Sequence, residues 1–345
     1  MPFEQVMIAS ALTWLRGELF TVGVLSDAMA WTVIGLFTLA GIVEWYGRRT
    51  NGTLTEPARL IAVVAWVGFG FFWLNLAPYF AFEHESFVEG ILSLVAFPAC
   101  LYAAKVLYEG RNTLFILSRA VAVMGLIYLP FETIPAFTIA GIAFPAPRQY
   151  LIEVVTVLTG WVISLFGFAP ALVESSEGYM ATYQWTLDDG HLYNVTIVLA
   201  CTGIGSIAIF GGLIAAVRAP LNRKLRALAI AVPIIFVLNI LRTAFISIVS
   251  GRQLMQWQPD LVLFLFGASN PYRVSFLLSD RVISQLLAVV ALMGITYLVV
   301  RELPELVTVL EDALFLLTGK EHDLQEALDL PREPAVDQHT GSRAD

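Results

Sequence analysis

Residues 218–249 read RAPLNRKLR followed by ALAIAVPIIFVLNILRTAFISIV. The first nine residues carry four cations: Arg218, Arg223, Lys224 and Arg226. The next 23 carry one charge, Arg242. A run of about 20 apolar residues at ~1.5 Å rise is long enough to cross a hydrocarbon core of ~30 Å. A spanning strand would be about half as long and would alternate apolar with polar residues. The stretch therefore reads as a transmembrane helix, 227–249, entered from its cytoplasmic side, because cations gather in cytoplasmic loops.

The rest of the chain repeats this pattern. Apolar stretches of spanning length run near 28–46, 58–80, 87–108, 114–134, 149–169, 195–217 and 275–300. The composition agrees, with 58% hydrophobic residues, 14% charged residues and a mean hydropathy of +0.75 over 345 residues. These values exclude a soluble globular enzyme, a disordered chain and a nucleic-acid binder. The expected fold class is an all-α polytopic membrane protein, a bundle of about 7–8 transmembrane helices. Residues 1–301 form the membrane domain, with the catalytic helices within 195–300. Residues 302–345 form an acidic cytoplasmic tail, amphipathic over 302–330 and laid on the membrane or on the protein.

The tail holds 11 of 28 acidic residues and 3 of 20 basic ones, and so carries the whole net charge of −8. An acidic chain with 3 Lys against 17 Arg suits high salt, where carboxylates stay hydrated and ion pairs are screened. Residues 1–15 begin with Glu4 rather than a basic region, so no cleavable signal peptide is expected. Cys100, inside an apolar run, reads as a buried structural thiol.

Orientation follows from the cations. Arg48, Arg49 and Arg59 mark one inside loop, and Lys105 and Arg111 a second. Segment 114–134 then ends outside, and 149–169 must also end outside. The stretch 135–169 must therefore leave and return. Either 136–146 is re-entrant before a span, or 149–169 lies along the interface, or the amino terminus is inside. In the outside segment 170–194, alternating residues flank Asp188-Asp189-Gly190, which reads as a small extracytoplasmic β-hairpin.

Three polar residues stand in otherwise apolar helices. Cys201 follows the outer start of its segment by six residues. Arg242 precedes the outer end of its own by seven, and Arg281 follows Val274 by seven. All three should sit roughly 9–11 Å below the outer edge. An intramembrane Arg costs at least about 2.5–3.5 kcal/mol and needs a partner or water. Two at the level of one thiol suggest a water-accessible pocket opening outward. A thiolate is a nucleophile, and nearby cations lower its pKa. Arg is an unlikely base but can hold a thiolate or an oxyanion. The bland alternative has Arg242 snorkelling and Arg281 paired with Asp280.

Asn239, Asp280 and Gln285 are supporting candidates: Asn239 and Gln285 share helix faces with the two arginines, and Asp280 adjoins Arg281. His191, in the hairpin loop, could reach the pocket, but a surface role suits it better. His84, His322 and His339 lie far away in sequence. No metal-ligand cluster or nucleotide loop appears, so no cofactor or metal is expected.

Ala200-Cys201-Thr202-Gly203-Ile204-Gly205-Ser206, Leu238-Asn239-Ile240-Leu241-Arg242-Thr243-Ala244-Phe245 and Ser279-Asp280-Arg281-Val282 together resemble the exosortase/archaeosortase family. The exosortase branch has His at the third position. Arg281 stands there here, as in the archaeosortase branch. The resemblance implies a membrane-embedded, sortase-like cysteine transpeptidase with an outward-facing site. Such enzymes recognise a carboxy-terminal signal: a short Pro-Gly-Phe-type motif, a hydrophobic helix and a basic end. They transfer secreted surface proteins, such as surface-layer glycoproteins, to a lipid anchor. Mapped here, Cys201 would form a thioester, Arg242 would stabilise thiolate or oxyanion, and Arg281 would fill the third catalytic position. A membrane lipid would be the acyl acceptor. The proton acceptor stays open. A transporter or lipid-binding protein, with both arginines on an anionic head group, is the alternative.

Overall fold

The computed structural model describes residues 23–49, 54–83 and 87–320. His84, His322, His339, Leu324 and Leu328 lie outside the described residues, as do the amino terminus and most of the acidic tail. Helix α1 spans Val24–Arg49 and α2 spans Thr55–Pro78, which continues into a π turn at Tyr79–Glu83. Helix α3 spans Phe87–Tyr108 and α4 spans Leu114–Thr133. These four form the first half of the bundle. They pack closely because small residues line the contacts: Ala58, Ala62 and Ala65 of α2 are fully buried. The Phe37 and Trp66 rings meet edge to face at 5.2 Å, and the Trp66 indole donates to Ser118 at 2.9 Å. Cys100 is buried in this core.

A hairpin follows, β1 (Phe137–Ile139) with β2 (Ile142–Phe144), and then α5 (Pro147–Leu165). Ala140 and Gly141 both take positive φ, as a two-residue hairpin turn requires. The re-entrant reading of 136–146 is thereby replaced by a hairpin with exposed strands. Helix α5 begins with Arg148 paired to Glu177 at 3.2 Å and is followed by Phe168, which lies under the Arg252 guanidinium. Its buried face packs on the sheet described next and on the second half of α7. It therefore starts and ends on the sheet side of the bundle, which removes the conflict over 135–169: α4 ends there, and the chain re-enters from there.

Strands β3 (Ala171–Glu174), β4 (Met180–Thr186) and β5 (Leu192–Thr196) form an antiparallel sheet in the order β3-β4-β5. The expected hairpin is β4–β5, closed by Leu187 and His191 with Gly190 at φ +81°. A 3-10 turn at Leu199–Thr202 leads into α6 (Ile204–Ala216). Helix α7 spans Leu221–Gly251, α8 spans Pro259–Phe266 and α9 spans Pro271–Glu302. Among the described residues, six helices are long and apolar enough to cross a membrane: α1, α2, α3, α4, α7 and α9. With the shorter apolar α6, the molecule is a polytopic helical membrane protein.

The amphipathic helix α10 (Leu306–Thr318) lies on the protein. Buried Asp312 accepts from Arg111 at 2.8 and 2.9 Å and from Thr113 at 3.0 Å. Phe315 lies under the Arg111 guanidinium. Just ahead of α10, Glu305 takes both terminal nitrogens of Arg223, at 2.8 and 3.1 Å.

Candidate active site

Helix α7 carries a polar stripe on an otherwise apolar surface. Asn239, Thr243 and Ser247 repeat at four-residue spacing, with Arg242 beside them and Ser250 and Gly251 at the end. The upper part of the stripe seats the sheet. The Trp185 indole donates to Ser247 at 3.2 Å and lies where a side chain at Gly251 would be. On the other flank, the Tyr183 hydroxyl bonds the Thr156 carbonyl of α5.

The lower part holds Cys201. The Asn239 amide donates to the Cys201 carbonyl. The Thr243 hydroxyl bonds the Asn239 carbonyl at 2.9 Å and sits 3.4 Å from the same Cys201 carbonyl. Gly203 takes φ +78°, and a β-carbon there would stand 3.2 Å from that of Asn239. Only glycine suits both demands. The sequence expectation placed Cys201 six residues inside a membrane helix. It stands instead in the 3-10 turn, two residues before Gly203, the N-cap of α6. The segment 195–217 is not one helix, because β5 claims its start and the left-handed Gly203 breaks the chain before α6. The helical-rise argument for the depth of Cys201 falls with it.

Helix α9 brings the second wall. Leu277–Ser284 is wound as a π-helix, whose wider turn is a frequent mark of functional sites. Asp280 projects from it to Arg242, with Oδ1 2.7 Å from Nη2. Its Oδ2 lies 3.6 Å from Nε of Arg281. One carboxylate thus stands between two guanidiniums, and the cluster keeps an excess positive charge. The free thiol of Cys201 is half-buried, and Arg242 and Asp280 are the charged groups that act on it electrostatically. Arg242 Nε is buried and bonds no group among the described residues. Arg242 and Arg281 each keep about 30% of their side-chain surface exposed, so the cluster is open to solvent or ligand.

Cys201, Asn239, Arg242, Asp280 and Arg281 are therefore brought together. Gln285 is exposed, and no hydrogen bond joins it to these residues among those described. Thr243 also belongs to the cluster and was given no role from sequence, although the four-residue step from Asn239 to Thr243 was a readable signal.

His191 stays away from the thiol. Its ring stacks on Tyr272 at 4.4 Å between centroids. The Tyr272 hydroxyl donates to Asp189 at 2.5 Å, and the His191 N–H donates to the same carboxylate at 2.9 Å. These two donors, Tyr272 foremost, hold the Asp189 carboxyl below the ordinary range. The hairpin tip is thereby fastened to the start of α9. Beneath it lies a cavity of about 480 Å³, lined by Asp188, Arg252, Gln253 and Gln256 among others. Among the described residues, no three His, Cys, Asp or Glu side chains converge as a metal ion would need.

The model of the transmembrane exosortase family matches residues 14–273. The archaeosortase A of Haloferax volcanii is 55% identical over 308 residues, covering 89% of this chain and 99% of that protein. The archaeosortase A of Natronomonas pharaonis is 42% identical over 299 residues, covering 85% of this chain and 89% of that protein. No solved structure matches. Taken with the cysteine fixed on the helix that bears Arg242, these matches show that the chain belongs to the transmembrane exosortase family, as a membrane-embedded archaeosortase of the cysteine transpeptidase class.

Proposed function

We propose that Cys201 is the nucleophile of an acyl transfer, that Arg242 supplies its positive field, and that Arg281, beyond Asp280, fills the third catalytic position. The observation that carries this is the placement of Cys201: its carbonyl is fixed to α7 by Asn239, beside an Arg242 that is itself fixed by Asp280. The chemistry follows from that geometry. A guanidinium stabilises the thiolate before attack and the oxyanion after it. The thiolate adds to the scissile carbonyl, the tetrahedral intermediate expels the amine of the carboxy-terminal piece, and a thioester on Cys201 remains. A second amine then attacks the thioester and releases the thiolate. Asp280 holds Arg242 at one angle, so the field needs little reorganisation during the reaction.

The substrates in this reading are membrane proteins with a carboxy-terminal sorting signal: a Pro-Gly-Phe-type motif, a hydrophobic helix and a basic end. The second amine belongs to a membrane lipid head group. The sheet end of the bundle faces the extracytoplasmic side, because Arg48, Arg59, Arg111, Arg218, Arg223 and Arg226 gather at the opposite end. The catalytic unit lies within 1–301, and the tail from 302 is cytoplasmic.

The test is reconstitution of the enzyme in lipid vesicles with a substrate carrying the signal. The expected product carries a lipid at its new carboxy terminus, and Cys201→Ala forms none. A free carboxylic acid would replace lipid transfer by hydrolysis. Unchanged processing by Cys201→Ala would remove the nucleophile and revive the transporter reading. A membrane-impermeant thiol reagent on intact cells should label Cys201 fast and label it more slowly in Arg242→Ala. Labelling only after solubilisation would overturn the outward orientation.

A further inference from the structure

Strand β5 is an edge strand, and its register shows which of its backbone groups are free. The Leu187 N–H bonds the His191 carbonyl at one end of the β4–β5 ladder, and the Ile197 N–H bonds the Ala181 carbonyl at the other. The pairing between them runs without a shift. In an antiparallel pair, bonded and non-bonded positions alternate. His191, Tyr193, Val195 and Ile197 therefore bond to β4, while Leu192, Asn194 and Thr196 turn their N–H and C=O groups the other way. The side chains agree: Thr196 meets Thr182 at 2.9 Å and Asn194 meets Gln184 at 3.2 Å, the close approach of non-bonded pairs. Leu192, Asn194 and Thr196 are all exposed, and among the described residues no backbone partner takes their outward groups. An open edge of this kind is a template for another strand.

This edge also leads to the nucleophile. β5 starts at the hairpin tip, passes Trp185 where that ring meets Ser247 and Gly251 of α7, and reaches Cys201 opposite Asn239 and Thr243. It thus descends along α7 toward the middle of the bundle, and the chain arrives at Cys201 five residues after Thr196. A nucleophile attacks an extended peptide most readily, since only then is the scissile carbonyl clear of its own backbone hydrogen bonds.

We propose that the free edge of β5 binds the extended segment of the substrate that precedes the scissile bond, as a fourth strand paired in parallel through Leu192, Asn194 and Thr196. This rests on the transpeptidase reading above. The direction follows from it: a substrate with its folded part beyond the sheet and its hydrophobic helix in the membrane runs the same way as β5. The reach follows from the path. Two residues of extended chain and two of 3-10 turn, at ~3.3 and ~2 Å per residue, separate the edge from Cys201. The paired segment is therefore roughly four to eight residues on the amino side of the cut. Backbone pairing makes this recognition tolerant of sequence, while specificity is left to the motif at the cut itself.

Proline at 194 tests the edge, because its missing N–H is not used by the β4 ladder. In vesicles, Asn194→Pro should raise KM for the sorting-signal substrate roughly two- to tenfold, the loss of one backbone hydrogen bond. Its Cys201 labelling rate should stay at the wild-type value, which separates lost strand pairing from a disturbed nucleophile. Should Asn194→Pro lose Cys201 labelling, a scan of single N-methyl groups through the substrate peptide decides on the wild-type enzyme. A KM penalty at every second residue upstream of the cut supports the strand. A flat scan, or wild-type KM in a normally labelled Asn194→Pro, overturns it. So does an Asn194→Pro that alters only the oligomeric state, which would make the edge a contact between two copies. Failure of the transpeptidase reading looks different: wild type and Cys201→Ala would then be equally inert toward the unmodified substrate.

Discussion

The two ends of the bundle both carry arginine–carboxylate clusters, and they are built to different rules. At the end away from the sheet, Glu44 is shared by Arg48, Arg119 and Arg218, but two other pairs are closed. Arg111 spends two nitrogens on Asp312 and stacks its plane on Phe315. Arg223 gives two nitrogens to Glu305 and the third to the Glu302 carbonyl. At the sheet end, one carboxylate is asked to serve two cations. Asp280 holds Arg242 through a single nitrogen and Arg281 at a loose 3.6 Å. A closed pair has no field left to lend, whereas an open one keeps charge for whatever comes to it. The first cluster therefore reads as structure and the second as chemistry, and the difference can be broken by substitution.

Activity should respond most at the open cluster. Cys201→Ala should reduce turnover at least about 10³-fold, and Arg242→Ala should reduce kcat about 10²–10³-fold, with thermal stability nearly unchanged. Asp280→Asn keeps the shape but loosens the guanidinium. It should cost about 10²-fold or less in kcat with little change in KM, and slow Cys201 labelling as well. Steady-state kinetics in vesicles and the labelling rate check these together. An Arg242→Ala enzyme with wild-type kcat would erase the distinction between the two ends.

At the closed cluster the order should reverse. Asp312→Ala removes the buried carboxylate that receives Arg111 and Thr113, and losing hydrogen bonds to a charged group costs about 1.5–3 kcal/mol. Turnover per folded molecule should be unchanged. Unfolding in mild detergent, followed alongside single-turnover activity of the folded fraction, separates the two readouts. A loss of kcat at constant stability would mean that the closed cluster communicates with the thiol.

Between the two ends lies the seat of the sheet. Gly251→Ala places a methyl group on the Trp185 indole, and overpacking of that kind costs about 1–3 kcal/mol. Because Trp185 stands in the strand next to β5, KM should rise before kcat falls. A variant with wild-type stability would show that the indole can shift without disturbing the edge.

The sequence reading reached some of these elements and missed others for physical reasons. Long apolar runs bounded by cations are unambiguous, so α1 to α4, α7 and α9 were legible within a few residues. The β4–β5 hairpin was legible because Asp189-Gly190 sits between alternating residues. β3 was not, since a four-residue strand with a bulge between Val173 and Glu174 carries little pattern. The region 195–217 looked like one helix because hydropathy does not separate an apolar strand, an apolar 3-10 turn and an apolar helix. Gly203 was the mark that divided them. The π winding of Leu277–Ser284 leaves no compositional trace, yet it sets where Asp280 points. The tail helix read as lying on the membrane or on the protein, and the choice between them rests on one buried acid, Asp312, that matches a loop about 200 residues away.

The smallest effect belongs to the hairpin tip. Tyr272 and His191 hold Asp189 ionised below the ordinary carboxylate range, so the folded pKa lies under the unfolded value of about 3.9. The sign follows from linkage: such a group contributes stability above the unfolded pKa and loses it as pH falls through the folded one. The fastening of the tip to α9 should therefore be flat from neutral pH down to about 5 and weaken only in strong acid. Tyr272→Phe removes the leading donor and should move that loss upward toward the ordinary Asp value. Limited proteolysis at the tip across the acid range reads it directly, and the His191–Tyr272 stack, kept by Phe, isolates the hydroxyl. Because Asp189 is fully exposed, the change in overall stability should be too small to detect while the proteolysis midpoint moves. An identical midpoint in both proteins would mean that the ring stack alone fastens the tip. The upper end of the β5 edge would then be held by packing and independent of pH.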